Sequence, residues 1–275
     1  MVQRLSFEFF PPNTERGRAN LHRTRARLAA HTPEFYSVTY GAGGSTRDRT
    51  FDAVAAIAAD ATPVAPHLSI GNDGHDTLRE LLDRYRDLGI KRIVALRGDI
   101  PSGMGNLRNV RYAAEFVELI RSHSGNAFHV EVAAYPETHP DAPSPAADLD
   151  FFHAKINAGA DSAITQYFFN ADAYFDFVDR CRARRIDAPI VPGIMPITNF
   201  VNLVKFSDNC GAEIPRWIRL RLEALQDDPE SLKQFGTDVV TELCRRLLAG
   251  GAPGLHFYTL NLARPSQAIL DNLEG

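Results

Sequence analysis

Short runs of apolar residues alternate with longer amphipathic stretches along the whole chain. The short runs predict eight β-strands, at Leu5–Phe10, Phe35–Thr39, Pro63–Ser69, Arg92–Leu96, His129–Ala134, Ser162–Gln166, Pro189–Gly193 and Leu255–Thr259. The amphipathic stretches predict intervening helices at Arg16–Ala29, Asp48–Ala59, Asp76–Leu88, Val110–Ser122, Ala147–Ala158, Ala171–Ala183 and Phe200–Asn209. Two more helices precede the last strand and one follows it, at Pro215–Leu225, Pro229–Ala249 and Pro265–Leu273.

Strands that alternate with helices are typical of a parallel sheet with crossover helices. Eight such units in one chain of 275 residues favour a closed barrel over an open sheet. No linker, low-complexity segment or change of composition divides the chain. We therefore predict an α/β fold, a single (β/α)8 TIM barrel with extra helices before the last strand, and one domain over residues 1–275.

Composition narrows the functional classes. The formal net charge is −4 and there are no basic runs, which argues against a nucleic-acid-binding surface. No apolar run approaches the roughly 20 residues needed to span a bilayer. The chain has three widely spaced cysteines, Cys181, Cys210 and Cys244, a pattern that fits reduced thiols in a cytosolic protein. The first strand begins at Leu5, which leaves no room for a signal peptide, so we expect a cytoplasmic location.

The first strand carries a lone carboxyl group, Glu8, within the aromatic run Ser6–Pro12. Burial among phenylalanines favours the neutral form of a carboxyl group, and enzymes use that arrangement to make a general acid. A glutamate at the strand edge with its carboxyl group in water fits the fragment equally well.

Barrel enzymes build their active sites from the carboxyl ends of the strands and the loops that follow. Polar, charged or glycine residues occupy these positions here: Glu8, Thr39–Gly44, His67, Arg97–Asp99, Tyr135–His139 and Gln166–Tyr167. The polar, proline-rich stretch Pro136–Pro145 follows the fifth strand directly and is predicted to be an active-site loop. Taken alone, His67 is typical of a packed histidine and Arg97–Asp99 of a surface turn.

Several common cofactor motifs are missing. The Gly41–Gly44 turn fails the G-x-G-x-x-G test because position 46 is threonine. No Walker loop, H-E-x-x-H or G-x-S-x-G occurs, and the nine histidines show no metal-ligand spacing.

Taken together, these strand ends resemble the short bacterial type of methylenetetrahydrofolate reductase over essentially the whole chain. Eight segments in order carry the resemblance: Phe7–Pro12, Ser37–Ala42, Ala65–Leu68, Ala95–Asp99, Ala133–Glu137, Ala163–Gln166, Pro192–Ile194 and His256–Asn261. The resemblance implies a barrel that holds FAD without a Rossmann domain. Such an enzyme uses NADH or NADPH to reduce methylenetetrahydrofolate to methyltetrahydrofolate by a ping-pong hydride relay, which feeds methionine synthesis. It also implies a homo-oligomer, as in bacterial relatives.

The resemblance also implies roles. Glu8 corresponds to the general acid that protonates the bridging nitrogen of the folate and opens its five-membered ring to an electrophilic iminium. Asp99 corresponds to the carboxylate between flavin and pterin, which stabilises that iminium and lowers the flavin reduction potential. Gln166 corresponds to a residue that hydrogen-bonds the pterin. Phe206 corresponds to an aromatic residue that stacks on the aminobenzoate ring or yields to nicotinamide, and Asn202 replaces a longer glutamine near the folate.

The FAD-binding positions that the resemblance implies are Thr39, Tyr40, Ala42, His67, Arg97, Gly98, Asp99, Tyr112, Ala113, Tyr135, His139, Ala142, Asp148 and Lys155. Arg97 and Lys155 are the natural countercharges for a pyrophosphate in an otherwise acidic protein. Tyr135 and His139 suit stacking and hydrogen bonding to the adenosine half.

Besides Asn202, three further positions depart from the family pattern. Phe151 and Ala154 stand where an asparagine and an arginine help to hold FAD, so we expect its phosphate and adenine ends to be bound differently. Leu262 stands where an arginine usually contacts substrate, and Arg264, two residues on, is a candidate replacement. Two other hypotheses compete: a pterin-binding barrel that transfers one-carbon groups without redox chemistry, and a flavin-free relative.

Overall fold

The computed structural model describes residues 4–41, 46–70, 74–98 and 112–274. The strands in these ranges are β1 (Leu5–Phe9), β2 (Phe35–Val38), β3 (Val64–Ser69), β4 (Arg92–Leu96), β5 (His129–Ala134), β6 (Ser162–Thr165), β7 (Ile190–Val191), β8 (Gly193–Ile194) and β9 (Leu255–Tyr258). The helices are α1 (Glu15–Leu28), α2 (Arg47–Ala59), α3 (His75–Asp87), α4 (Ala113–Ser124), α5 (Pro145–Asn157), α6 (Ala171–Ala183), α7 (Phe200–Cys210), α8 (Arg216–Ala224), α9 (Pro229–Ala249) and α10 (Ala263–Glu274). A short 3-10 helix, Ala29–His31, follows α1.

All the strands belong to one parallel sheet, in the order β7-β6-β5-β4-β3-β2-β1-β9-β8. The predicted strand Pro189–Gly193 is divided at Pro192 into β7 and β8, because proline has no N–H to give to a ladder. β7 pairs with β6 and β8 pairs with β9. The two ends of the sheet therefore meet at Pro192, and the predicted (β/α)8 TIM barrel, with α8 and α9 before its last strand, is confirmed.

Local capping sets several helix boundaries. Thr14 caps α1 by accepting a hydrogen bond from the Gly17 N–H, so α1 begins one residue before the predicted start. Ser144 caps α5 in the same way, and Pro145 occupies the first turn, where a missing N–H costs nothing. The helix predicted from Val110 is described only from Ala113 onward. In the described ranges, no helix is long and apolar enough to cross a membrane.

Alternation along the strands gives the barrel two different faces. Phe7 and Phe9 point outward, where they join the large core between the sheet and the helices. The inward face holds a small separate apolar cluster of Phe35, Ala65, Val94 and Ile164. This cluster fills the middle of the barrel, so polar side chains collect at its two ends.

The amino-terminal end of the barrel contains a buried ion network. The carboxylate of Glu131 accepts hydrogen bonds from Arg92 and from Ser162, and it lies 3.3 Å from His129 Nε2. Burial alone would raise the pKa of Glu131, but the hydrogen bond with His129, the charge of Arg92 and the Ser162 bond outweigh it and lower that pKa. Arg92 also pairs with Glu34 at the surface. This end of the barrel is thus held by satisfied charges.

Replacing Glu131 by glutamine is expected to destabilise the protein by about 3 kcal/mol, because Arg92 loses its buried partner. Because the pKa of Glu131 is lowered in the folded protein, its contribution to stability is fully present above the pKa of the unfolded chain, about 4.3. That contribution is lost as pH falls through the lower pKa of the folded protein. Urea unfolding at pH 7 and at pH 4 should therefore show a smaller difference between wild type and E131Q at the lower pH. The matched control is E34Q, which removes the exposed partner of the same arginine and should cost less than about 1 kcal/mol. Equal losses for both variants would contradict this account.

Candidate active site

Glu8 lies near the carboxyl end of β1 and points into the barrel, with its side chain only 13% exposed. Its Oε2 atom is 3.5 Å from Nε2 of His67 on β3 and 3.8 Å from Nε2 of His256 on β9. Both histidines are buried, and neither Nε2 atom has a hydrogen-bond partner among the described residues. The three side chains form a compact group, which we call the Glu8 cluster.

The surroundings of Glu8 differ from those that the aromatic run suggested. Phe7 and Phe9 lie on the opposite face of β1, because neighbouring residues of a strand point to opposite sides. The carboxyl group is therefore largely buried, but against two imidazoles rather than phenylalanine rings. The strand-edge interpretation, with the carboxyl group in water, does not describe its position.

Burial governs the protonation of His67. Burial lowers the pKa of His67 to about 4, with Glu8 acting to raise it and His256 to lower it further. His67 is therefore neutral at physiological pH. His256 has its other nitrogen, Nδ1, 2.7 Å from Ser6 Oγ.

Tyr258 connects the Glu8 cluster to the end of β6. It is paired with Glu8 in the sheet register, and its hydroxyl group donates to the carbonyl oxygen of Thr165 at 2.7 Å. Gln166, the predicted pterin-binding residue, follows Thr165 directly and therefore lies next to the strand end that Tyr258 contacts. The Gln166 side-chain oxygen accepts a hydrogen bond from the Tyr167 N–H at 3.0 Å.

Helix α7 carries the other two predicted substrate residues. Asn199 caps the helix by accepting from the N–H of Asn202 at 2.8 Å. The Ser207 hydroxyl lies 3.0 Å from that of Tyr167 and fixes the inner face of α7 to the β6 strand end. Phe206, next to this link, is 37% exposed and free to meet a ligand.

A cleft of about 660 Å³ opens beyond the ends of β3, β4 and β5, within the size range of cofactor sites. Most of the predicted FAD positions line it, namely Tyr40, Arg97, Gly98, Tyr112, Ala113, Tyr135, His139, Ala142, Asp148 and Lys155. Thr39 lines a neighbouring pocket of about 500 Å³ that shares Tyr40, and His67 belongs to the Glu8 cluster. The remaining two, Ala42 and Asp99, lie outside the described residues.

Two cations face this cleft. Burial lowers the pKa of Lys155 to about 8, with Asp148 acting to raise it and Arg97 to lower it further. Arg97 forms an ion pair with Asp141, a residue that the sequence did not single out.

Aromatic rings form the walls of the cleft. Tyr112 and Phe151 stack with ring centroids 5.2 Å apart, and both are partly exposed. The rings of Tyr135 and His139 meet edge to face with centroids 4.5 Å apart. The backbone N–H of His139 donates a hydrogen bond to the Asp148 carboxylate. Phe151 and Ala154 thus line the cleft, as their sequence positions imply. A stacked ring replaces the polar group at position 151.

Sequence reasoning left three residues of this region without a role: His256, Tyr258 and Asp141. Alternation about the outward Phe257 would have pointed His256 and Tyr258 inward. The contact between Asp141 and Arg97 joins separate loops and has no signal in the sequence.

Leu262 is 47% exposed beyond the last strand, and Arg264 is an exposed residue in the first turn of α10. In the described ranges, no three histidine, cysteine or acidic side chains could hold a metal ion.

Ionisable and aromatic side chains at the carboxyl ends of the strands define a barrel enzyme. The sequence model of the methylenetetrahydrofolate reductase family matches residues 2–274. The 5,10-methylenetetrahydrofolate reductase of Salmonella typhimurium is 42% identical over 270 residues, which are 98% of this chain and 90% of that protein. The chain belongs to the methylenetetrahydrofolate reductase family and is an oxidoreductase.

Other similarities agree. Methylenetetrahydrofolate reductase (NADH) 1 of Arabidopsis thaliana is 38% identical over 282 residues, covering 98% of this chain but 48% of the plant protein. A Clostridium thermocellum protein, described as binding two copies of 5-methyl-5,6,7,8-tetrahydrofolic acid, superposes with a TM-score of 0.66 at 16% identity. That match covers 98% of this chain and 93% of the other. At this identity it supports the barrel fold alone.

Gly193 is expected to be essential to the geometry around Tyr258. A Cβ atom at this position would lie 2.1 Å from the Thr165 carbonyl oxygen and 2.6 Å from the Tyr258 ring. The change G193A should therefore destabilise the protein by about 3 kcal/mol or more, since backbone must move. Urea unfolding would measure the loss. G74A is the control, because a Cβ atom there meets nothing within 4 Å, and its cost should stay below about 1 kcal/mol. A G193A protein as stable as G74A would contradict the close packing.

Proposed function

We propose that this protein reduces 5,10-methylenetetrahydrofolate to 5-methyltetrahydrofolate, with FAD in the 660 Å³ cleft and NADH or NADPH as the hydride source. The observation that carries the proposal is the position of Glu8. A largely buried carboxyl group lies in the barrel mouth, beside a cleft that carries two cations. The family membership supports the reaction, and the positions of Glu8, Arg97 and Lys155 support a proton donor and an anion site for it.

The residues of the cleft fit FAD. Lys155 and Arg97 can neutralise a pyrophosphate, and the partly exposed rings of Tyr112, Phe151 and Tyr135 offer surfaces for the adenine. FAD supplies the ability to accept hydride from a nicotinamide and to pass it to the folate. A single cleft that admitted the nicotinamide and the folate in turn would agree with a ping-pong scheme. A shared pocket also explains the lack of a recognisable dinucleotide motif in the sequence.

Glu8 provides the acid chemistry in this proposal. Its O–H bond breaks as a proton moves to the bridging nitrogen of the folate, the ring opens to an iminium, and the carboxylate remains. Gln166 binds the pterin, Phe206 stacks on the aminobenzoate ring, and Asn202 lies near the substrate. The role of Asp99 in stabilising the iminium stays a prediction.

The cellular setting is also part of the proposal. We infer a cytoplasmic homo-oligomer whose product feeds methionine synthesis, and which binds neither membranes nor nucleic acid. A one-carbon transferase or a flavin-free barrel would be colourless as purified. A yellow protein that NADH bleaches and methylenetetrahydrofolate re-oxidises supports the reductase. A protein that binds no added FAD would exclude it.

The affinity for FAD is expected to fall about 10- to 100-fold in K155M, because one charge-assisted contact to the phosphates is lost. In the wild type, affinity should also weaken as pH rises above about 8, where the free protein loses the Lys155 proton. Quenching of flavin fluorescence measures both effects. K233M, which changes an exposed lysine on α9, should bind FAD normally. If K155M keeps full affinity and the same pH dependence, Lys155 does not hold the phosphates.

The change E8Q is expected to separate the two half-reactions. Flavin reduction by NADH should stay within about twofold of wild type, whereas re-oxidation by methylenetetrahydrofolate should slow by about 10² to 10⁴, the usual contribution of a general acid. Stopped-flow absorbance of the flavin measures each rate. E15Q, at an exposed glutamate in the first turn of α1, is the matched control and should leave both rates unchanged. Equal loss of both half-reactions in E8Q would make Glu8 a structural residue.

A further inference from the structure

His256, a member of the Glu8 cluster, makes a second polar contact on the side of its ring away from Glu8. Ser6 and His256 are opposed in the register of β1 and β9, and Ser6 Oγ lies 2.7 Å from His256 Nδ1. His256 is completely buried, and Ser6 is nearly so. The opposite ring nitrogen, Nε2, points toward Glu8 at 3.8 Å.

Hydrogen-bond accounting fixes the tautomer of His256. A buried hydroxyl group needs an acceptor for its hydrogen. Among the described residues, Ser6 Oγ has His256 Nδ1 as its hydrogen-bond partner. Ser6 therefore donates to Nδ1, which places a ring N–H on Nε2. The opposite tautomer would leave the Ser6 hydrogen without an acceptor among the described residues.

We propose that His256, with its tautomer set by Ser6, is a positioning residue that presents an Nε2–H group to the carboxylate of Glu8 when the acid has given up its proton. This inference rests on the proposed role of Glu8. Nε2 has no other partner in the described part of the chain, so its hydrogen is available. The 3.8 Å separation is longer than a hydrogen bond, and such contacts commonly shorten in the substrate complex.

In this proposal, His256 lowers the free-energy cost of the Glu8 carboxylate that remains after proton transfer. A carboxylate left in a largely buried place is costly unless it receives hydrogen bonds. An imidazole N–H that donates to the carboxylate lowers that cost. The Phe35 ring stacks on His256 at 6.3 Å and helps to keep the imidazole in place. His67 faces the same carboxyl oxygen from β3, and within the described ranges no serine hydroxyl contacts its other ring nitrogen.

The tautomer can be tested without any cofactor. In flavin-free protein labelled with ¹⁵N-histidine, the His256 signals, assigned by their loss in H256Q, should show a protonated Nε2 and an unprotonated Nδ1. In S6A this preference should weaken or reverse. A protonated Nδ1 in the wild type would overturn the proposal. Folding of each variant is checked by circular dichroism and urea unfolding.

The functional consequence is tested in the loaded enzyme. S6A and H256F should each slow flavin re-oxidation by methylenetetrahydrofolate about tenfold or more, with flavin reduction by NADH within about twofold of wild type. S6T, which retains the hydroxyl group, should recover most of the rate. S266A is the matched control, because Ser266 is a completely buried serine on α10 whose hydroxyl group has no partner among the described residues.

The outcomes separate this inference from the proposed function. If E8Q blocks folate reduction but S6A and H256F leave it unchanged, the role of His256 is wrong and that of Glu8 stands. If S6A and H256F slow both half-reactions equally, His256 is only structural. If E8Q itself reduces folate at the wild-type rate, the proposed function of Glu8 fails first.

Discussion

The pairing of the first strand with the last is the constraint on which the rest of this molecule depends. β1 and β9 lie about 250 residues apart in the chain, yet their parallel register sets Ser6 opposite His256 and Glu8 opposite Tyr258. The same pairing lets β9 receive β8, and so closes the barrel at Pro192. The pairing of β1 with β9 therefore both closes the barrel and brings His256 beside Glu8 in the Glu8 cluster.

The two ends of the barrel interior differ in how their buried polar groups are satisfied. At the amino-terminal end, Glu131 and Arg92 are paired and hydrogen-bonded, which is the condition under which buried charge is tolerated. The apolar cluster around Val94 and Ile164 fills the middle. At the carboxyl end, Nε2 atoms of His67 and His256 face Glu8 without a hydrogen-bond partner in the described ranges. Unsatisfied buried polar atoms cost free energy, so a cluster of them at a barrel mouth is typical of a binding or catalytic site.

The anion site follows a different principle. The chain is acidic overall, so local cations rather than long-range charge would have to attract the proposed anionic cofactor. Lys155 and Arg97 come from α5 and from the end of β4, and burial leaves Lys155 with a pKa of about 8. An anionic partner would restore its ordinary basicity. Binding of the cofactor and protonation of Lys155 are therefore expected to be coupled.

The sequence alone determined the periodicity, and with it the order of strands and helices, because alternation and amphipathic spacing are local properties. It also placed Glu8, Gln166 and Lys155 at strand ends or in the helices that follow them. Alternation along β1 already sets Phe7 and Phe9 on the face opposite Glu8, but the sequence could not show that Glu8 and His256 both turn into the barrel and meet there. Those directions depend on which face of each strand looks into a closed barrel, and on a register between residues at opposite ends of the chain. Only the tertiary structure decided them, since strand pairing over such distances leaves no mark in a local pattern of residues.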